Sequence, residues 1–395
     1  MTVRHSLTRS VEPDGLTYGP GLYLHVPFCL QKCPYCSFYS LSGRLDLNTR
    51  FTAAVNRQME RFAARRETQE QPLATIFFGG GTPSMLPPTI LIDLLQACLG
   101  RFPYADELEI SIEVNPATID QEGLQLLRRG GFNRLSIGVQ SFNNQELKRI
   151  GRAHSANEAI QTVCMARQAG FTNISLDLMY GLPGQDEQSW QANLNQALAL
   201  EPDHLSLYEL TIEEDTPFAR QLDTGTLQLP DEEKVLAMME TTRRLTSGGG
   251  LSRYEISNYA RPGFECRHNI NYWQNGSYIG LGPGAVSRLG PTRFTAIADV
   301  ERFCERMEQN QEIRQEEETL DKETRFRETV IMGLRMTKGI SIDALKQRFG
   351  IDPAVYYGTT LDRLMAQELV EIQQGWLRLT EPGLLLANTV MAELV

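Results

Sequence analysis

The stretch GLYLHVPFCLQKCPYC, residues 21–36, decides how this chain reads. An apolar, β-type run from Leu22 to Phe28 delivers three cysteines, Cys29, Cys33 and Cys36, in C-x3-C-x2-C spacing. Thiolates so placed can grip three corners of an iron-sulfur cubane and leave the fourth iron open, whereas structural zinc takes four closed ligands, usually as two separated C-x2-C pairs. A zinc site closed by His25 is the alternative use of the same cysteines. The other cysteines, Cys98, Cys164, Cys266 and Cys304, stand singly and read as small buried hydrophobes. An odd cysteine count without a secretory signal points to a reducing, cytoplasmic compartment.

Outward from the cysteines, β-branched apolar runs alternate with amphipathic stretches, the pattern of a parallel sheet with helices outside it. Strands are expected at 21–28, 74–80, 107–114, 134–141, 173–181 and 204–211. Six strands are too few to close a full barrel. Ligands of such folds collect at the carboxyl ends of strands. There the chain places the cysteine loop, Gly79-Gly80-Gly81-Thr82-Pro83, Glu113-Val114-Asn115-Pro116, Gln140-Ser141 and Asp177, all aimed at one mouth.

The 395 residues exceed what one core normally serves, so two domains are expected, with a mobile tail over 1–20. The barrel should occupy 21–250 and an aromatic and glycine-rich extension 251–307. The acidic run at 308–320 reads as a boundary and 320–395 as a second domain. That domain reads as helices over 322–337, 341–349 and 353–368, then two strands around Gln373-Gln374-Gly375, a winged-helix-like order. Its third helix carries Arg363 as its one basic residue, and the whole chain has a net charge of −11, which argues against nucleic-acid binding. No apolar run approaches the ~20 residues needed to span a bilayer.

Taken in order, YLHVPFC with the two further cysteines, GGGTP (79–83), Glu113, GVQSFN (138–143), LDLMYGLPGQ (176–185) and CRHNINYW (266–273) resemble the oxygen-independent coproporphyrinogen III oxidase family of radical S-adenosylmethionine (SAM) proteins. The resemblance implies a partial (β/α)6 barrel holding a 4Fe-4S cluster on Cys29, Cys33 and Cys36, with SAM on the open iron. It carries SAM contacts onto Tyr23, Gly80, Gly81, Thr82, Glu113, Gln140, Arg152 and Asp177. The glycines would let the backbone come close and donate N–H groups, Glu113 and Asp177 would accept from ribose hydroxyls, and Arg152 would pair with the carboxylate.

Two departures choose the branch. The oxidases carry a further cysteine where this chain has Phe38, and they have a longer N-terminal region than the 20 residues present here. His268-Asn269-Ile270-Asn271-Tyr272 instead matches the H-N-x-x-Y motif of the heme-chaperone branch. The resemblance thus implies heme binding through His268, Asn269 and Tyr272, heme-acceptor proteins and an electron donor as partners, and leaves porphyrinogen decarboxylation as the alternative activity.

Overall fold

The computed structural model describes residues 18–395; most of the expected tail, residues 1–17, lies outside the described residues. Its last residues are held: the Arg267 guanidinium lies over the Tyr18 ring, and Pro20 O accepts from Ala74 N. Six parallel strands follow in spatial order, β1 Gly21–Val26, β2 Leu73–Gly80, β3 Tyr104–Val114, β4 Arg134–Gln140, β5 Ile174–Tyr180 and β6 His204–Glu209. Between them run α1 Asn48–Ala63, α2 Pro88–Leu99, α3 Gln121–Gly130, α4 Ala156–Gln168 and α5 Glu187–Ala199.

Period-two alternation gives each strand two unlike faces. One face, including Ile76, Phe78, Ile112, Ile137, Leu176 and Leu205, is buried in the main apolar core under the helices. The other face is polar: Tyr23, Thr75, Glu109, Ser111, Glu113, Arg134, Ser136, Ser175, Asp177, His204 and Ser206 line the concave side. Helix starts are fixed by side-chain caps, as with Asp120 on α3, the Ser155–Glu158 capping box on α4 and Asp186 on α5.

The sheet does not stop at six strands. After α6 Glu232–Gly248 come β7 Ser252–Arg253 and β8 Asn258–Ala260, the latter antiparallel to β6. A short helix, α7 Arg267–Trp273, precedes β9 Tyr278–Leu281, which pairs in parallel with the free side of β1. Antiparallel β10 Val286–Leu289 and β11 Thr292–Ala296 follow, then α8 Val300–Glu308 and β12 Arg314–Thr319, so twelve strands form one open sheet. Within the acidic run at 308–320, Arg314–Thr319 is the edge strand, and the C-terminal part begins directly after it. Charge on its exposed face discourages pairing with another chain, and for that reason it carries no apolar alternation.

The C-terminal part comprises α9 Lys322–Gly333, β13 Ile340–Ser341, α10 Ile342–Phe349, α11 Pro353–Tyr357, α12 Thr359–Ala366, β14 Val370–Gln373, β15 Trp376–Leu379, α13 Glu381–Leu385 and α14 Ala387–Ala392. It has its own apolar core around Phe326, Phe349, Leu364 and Leu377. The single helix expected over 353–368 is two helices, because Gly358 takes a left-handed φ of 46°. Gln374 and Gly375, both left-handed, make the tight hairpin turn between β14 and β15. Arg363 is paired with Glu393. No helix of the described residues is long and apolar enough to cross a membrane.

Candidate functional site

The three sequence-marked cysteines line one cavity of about 100 Å3 together with Gly80, Gly81, Thr82, Asn115 and Arg152. Their loop is stapled to the end of β2: Gly81 N donates to Val26 O at 2.8 Å and Thr82 N to Phe28 O at 2.7 Å. Gly80 N donates to Glu113 Oε2 at 3.2 Å. The N–H groups of Gly80, Gly81 and Thr82 thus hold the strand end and the cysteine loop together. Glycine is required for a different reason: a Cβ on Gly81 would lie 2.7 Å from Phe28 O and 3.0 Å from Cys29 Sγ, and Gly80 has φ +113° with His25 against it.

Around the thiols the donors are arranged in a chain. Thr82 Oγ1 reaches Cys29 Sγ at 3.8 Å and accepts from Asn115 Nδ2 at 2.7 Å. Asn115 Oδ1 in turn accepts from Arg152 Nη2 at 2.6 Å, which also donates to Gly138 O, while Arg152 Nη1 points at Cys33 Sγ, 3.9 Å away. Arg152 Nε is buried without a partner. Burial pushes the Cys36 thiol up from its ordinary value. Three thiols, a nearby guanidinium and a glycine where a side chain would collide with Cys29 fit an iron-sulfur cluster and a ligand carried on it.

Glu113 and Asp177 come together as the resemblance implied. Burial, and then the neighbouring Asp177, push Glu113 up to about 8. Asp177 is also raised by burial, against hydrogen bonds from Ser206, Ser136 and Ser175. Gln140 ends β4 with a left-handed φ of 65°. Tyr23 stacks on Phe77, and its hydroxyl meets His25 Nδ1 at 3.2 Å. His25 Nε2 faces Tyr39 O at 2.9 Å, so that nitrogen carries the proton and Nδ1 accepts from Tyr23. Both His25 nitrogens are thus engaged within the protein.

Two residues at the site were given no role by the sequence. Asn115 ties Thr82 to Arg152, and its signal was only its place at a strand end before Pro116. Tyr208, 41% exposed, lies beside Asp177 and Glu113 at the mouth. The signal for Tyr208 is its i+2 and i+4 spacing from Ser206 and His204 on the polar face of β6.

The H-N-x-x-Y residues lie elsewhere. His268 is 1% exposed at the amino ends of the strands, with Nδ1 on Thr75 Oγ1 at 2.7 Å and Nε2 on the Tyr272 hydroxyl at 3.1 Å. Burial and the neighbouring Arg134 pull its pKa down to about 3. Glu109 receives the N–H groups of Arg267 and His268 and caps α7 from inside the barrel. Asn269 is half-buried on the same helix. Both His268 nitrogens are engaged within the protein, and the motif forms the floor of the barrel.

Comparison with known proteins agrees with this architecture. The sequence profile of the radical SAM superfamily matches residues 23–197, and that of the HemN C-terminal domain matches 320–386. The heme chaperone HemW of Bacillus subtilis is 34% identical over 371 residues, covering 93% of this chain and 97% of the relative. HemW of Escherichia coli is 41% identical over 270 residues, 68% of this chain and 70% of the relative. The solved coproporphyrinogen III oxidase of E. coli superposes with a TM-score of 0.82 at 23% identity, over 98% of this chain and 91% of that one, which speaks for the fold. With identity of that level sustained along nearly the full length of both chains, this protein belongs to the heme-chaperone family of radical SAM proteins.

Proposed function

We propose that the protein is a heme chaperone that carries a 4Fe-4S cluster and SAM in the barrel mouth and passes heme to acceptor proteins. The observation that carries this reading is coverage: likeness to chaperones runs through barrel and C-terminal part alike, at 34% and 33% identity over 93% of the chain. Cys29, Cys33 and Cys36 hold the cluster. Glu113 and Asp177 take the ribose hydroxyls of SAM, Tyr23, Gln140 and Thr82 shape its pocket, and the unpartnered Arg152 Nε faces its carboxylate. When bound, the cluster supplies one-electron chemistry to the sulfonium, drawing on a separate electron donor. Phe38, 68% exposed beside the ligand loop, offers no further thiolate there.

Two assays on the cluster-reconstituted protein test the reading. Heme bound to it should pass to a heme-free acceptor protein, followed by the acceptor's absorbance, while coproporphyrinogen III kept reduced and anaerobic with SAM should not lose carboxyl groups. Decarboxylation without heme transfer would reverse the assignment.

A further inference from the structure

Glu146, on the short helix Asn144–Arg149 that follows β4, is only 1% exposed. Burying a carboxyl group is costly unless donors meet its oxygens, and here four side chains do. Ser141 Oγ donates to Oε2 at 2.5 Å, Asn193 Nδ2 at 2.9 Å and Gln185 Nε2 at 3.1 Å, while the Ser189 hydroxyl donates to Oε1. Ser141 lies in the turn after β4, Gln185 in the turn after β5, and Ser189 and Asn193 on α5. One buried acid therefore gathers the segments that end two neighbouring strands of the mouth.

Further bonds lock what Glu146 gathers. Gln185 Oε1 accepts from Leu182 N at 3.3 Å, and Arg149 Nη1 donates to Pro183 O at 3.1 Å, so the short helix is joined twice to the turn after β5. Asn193 Oδ1 takes the Phe142 N–H, and Ser141 Oγ takes that of Asn143 at 2.8 Å. These bonds fix the residues directly after Gln140, whose φ of 65° is one that L side chains seldom hold unless their surroundings impose it.

The effect reaches the cysteines. The short helix leads straight into Arg152, whose N donates to Leu147 O at 2.9 Å. A Cβ on Gly138 would lie 2.6 Å from Asn115 Oδ1 and 3.3 Å from both Arg152 Nη2 and Gln140 Nε2, so the Gln140 amide and the Arg152 guanidinium converge on one spot. Arg152 Nη1 points from there at Cys33 Sγ. Segments anchored on Glu146 thus carry two of the polar groups beside the cysteine cavity, although Glu146 itself does not line it.

We infer that Glu146 is a positioning residue for SAM: it holds Gln140 and Arg152 in the arrangement that receives the ligand, without touching the ligand itself. The inference rests on the SAM pocket of the heme-chaperone reading. All four partners of Glu146 are neutral, so an amide in its place keeps most of the network. With its NH2 turned to Ser189, whose hydroxyl accepts as well as donates, the remaining oxygen still serves the other three.

The test is calorimetric titration of SAM into the full-length, cluster-reconstituted protein, with iron and sulfide counted per chain. Glu146→Ala should weaken SAM binding by about tenfold or more, the loss expected when several buried hydrogen bonds are removed together. It should also change the electron paramagnetic resonance spectrum of the reduced, SAM-bound cluster, because Arg152 shifts against Cys33. Glu146→Gln should restore the spectrum and bring affinity to within about twofold of the parent. Ser141→Ala cuts only the link to the turn after β4 and should weaken SAM by about threefold, with cluster content at the parental level. Parental SAM affinity in Glu146→Ala, or equal losses in the Ala and Gln variants, would overturn the assignment. Should Glu146→Ala lose its cluster, Ser141→Ala decides: weaker SAM with a full cluster supports the assignment, and parental SAM overturns it. A parent protein that binds no SAM would instead sink the pocket of the chaperone reading, and this inference with it.

Discussion

Glu113 sets a pH dependence that a strand-end carboxylate in water would not have. With its pKa pushed to about 8 by burial and by Asp177, it is a neutral acid at pH 7 until a ligand favours its charged form. A pKa above the unfolded value of 4.5 means that the folded state holds the proton longer. Its contribution to stability is therefore full below about pH 4.5 and is lost as pH rises through about 8. If the ionised form takes the ribose hydroxyls, SAM affinity should climb between about pH 7 and pH 9 and flatten in Glu113→Gln, read by calorimetric titration. An equal slope in both proteins would remove Glu113 from the pocket. Gly81→Ala should cost most of the cluster, measured as iron and sulfide per chain, because the added methyl meets Phe28 O and Cys29 Sγ. At this scale the strand-end placement of the cysteines, Glu113 and Asp177 was legible from the alternating pattern, and their roles only from the resemblance. The hydrogen-bonded setting of His268 was not legible, because its partners Thr75 and Glu109 sit 193 and 159 residues away, and no local pattern announces them.

Among the elements, α7 depends most on a distant residue. Its N-terminal N–H groups are met by Glu109 from β3, and the same carboxylate is among the groups that favour the charge of the buried Arg134. Glu109→Ala should destabilise the protein by about 3 kcal/mol in chemical denaturation, since it strands a buried cation and two helix donors. A change under about 1 kcal/mol would show that water already serves those groups. The six parallel strands were readable because one face of each is steadily apolar. β12 was not, because a charged edge strand looks like a linker, and the break at Gly358 was hidden inside an otherwise continuous helical pattern.

The barrel and the C-terminal part each have their own main apolar core, yet polar bonds knit them. Ile256 N donates to Arg335 O, Thr337 N to Tyr254 O, Asn275 Nδ2 to Thr329 Oγ1 and Arg348 Nη2 to Asn275 O. Unfolding by heat should therefore give one calorimetric transition, with the barrel and C-terminal part losing structure together. Two well-separated transitions would mean that these bonds do not couple the parts. The order of the parts was legible from composition and motifs. Their junction was not, because backbone groups make much of it and side-chain patterning does not record them.

The bonds from Gly81 and Thr82 to the carbonyls of Val26 and Phe28 bear on how the metal centre is made. They join the ligand loop to a central strand by contacts that require no iron. Arrival of the cluster then resembles insertion into a socket already cut to shape, and little chain entropy remains to be lost at that moment. Deuterium uptake at these two amides should be equally slow before and after the cluster is installed.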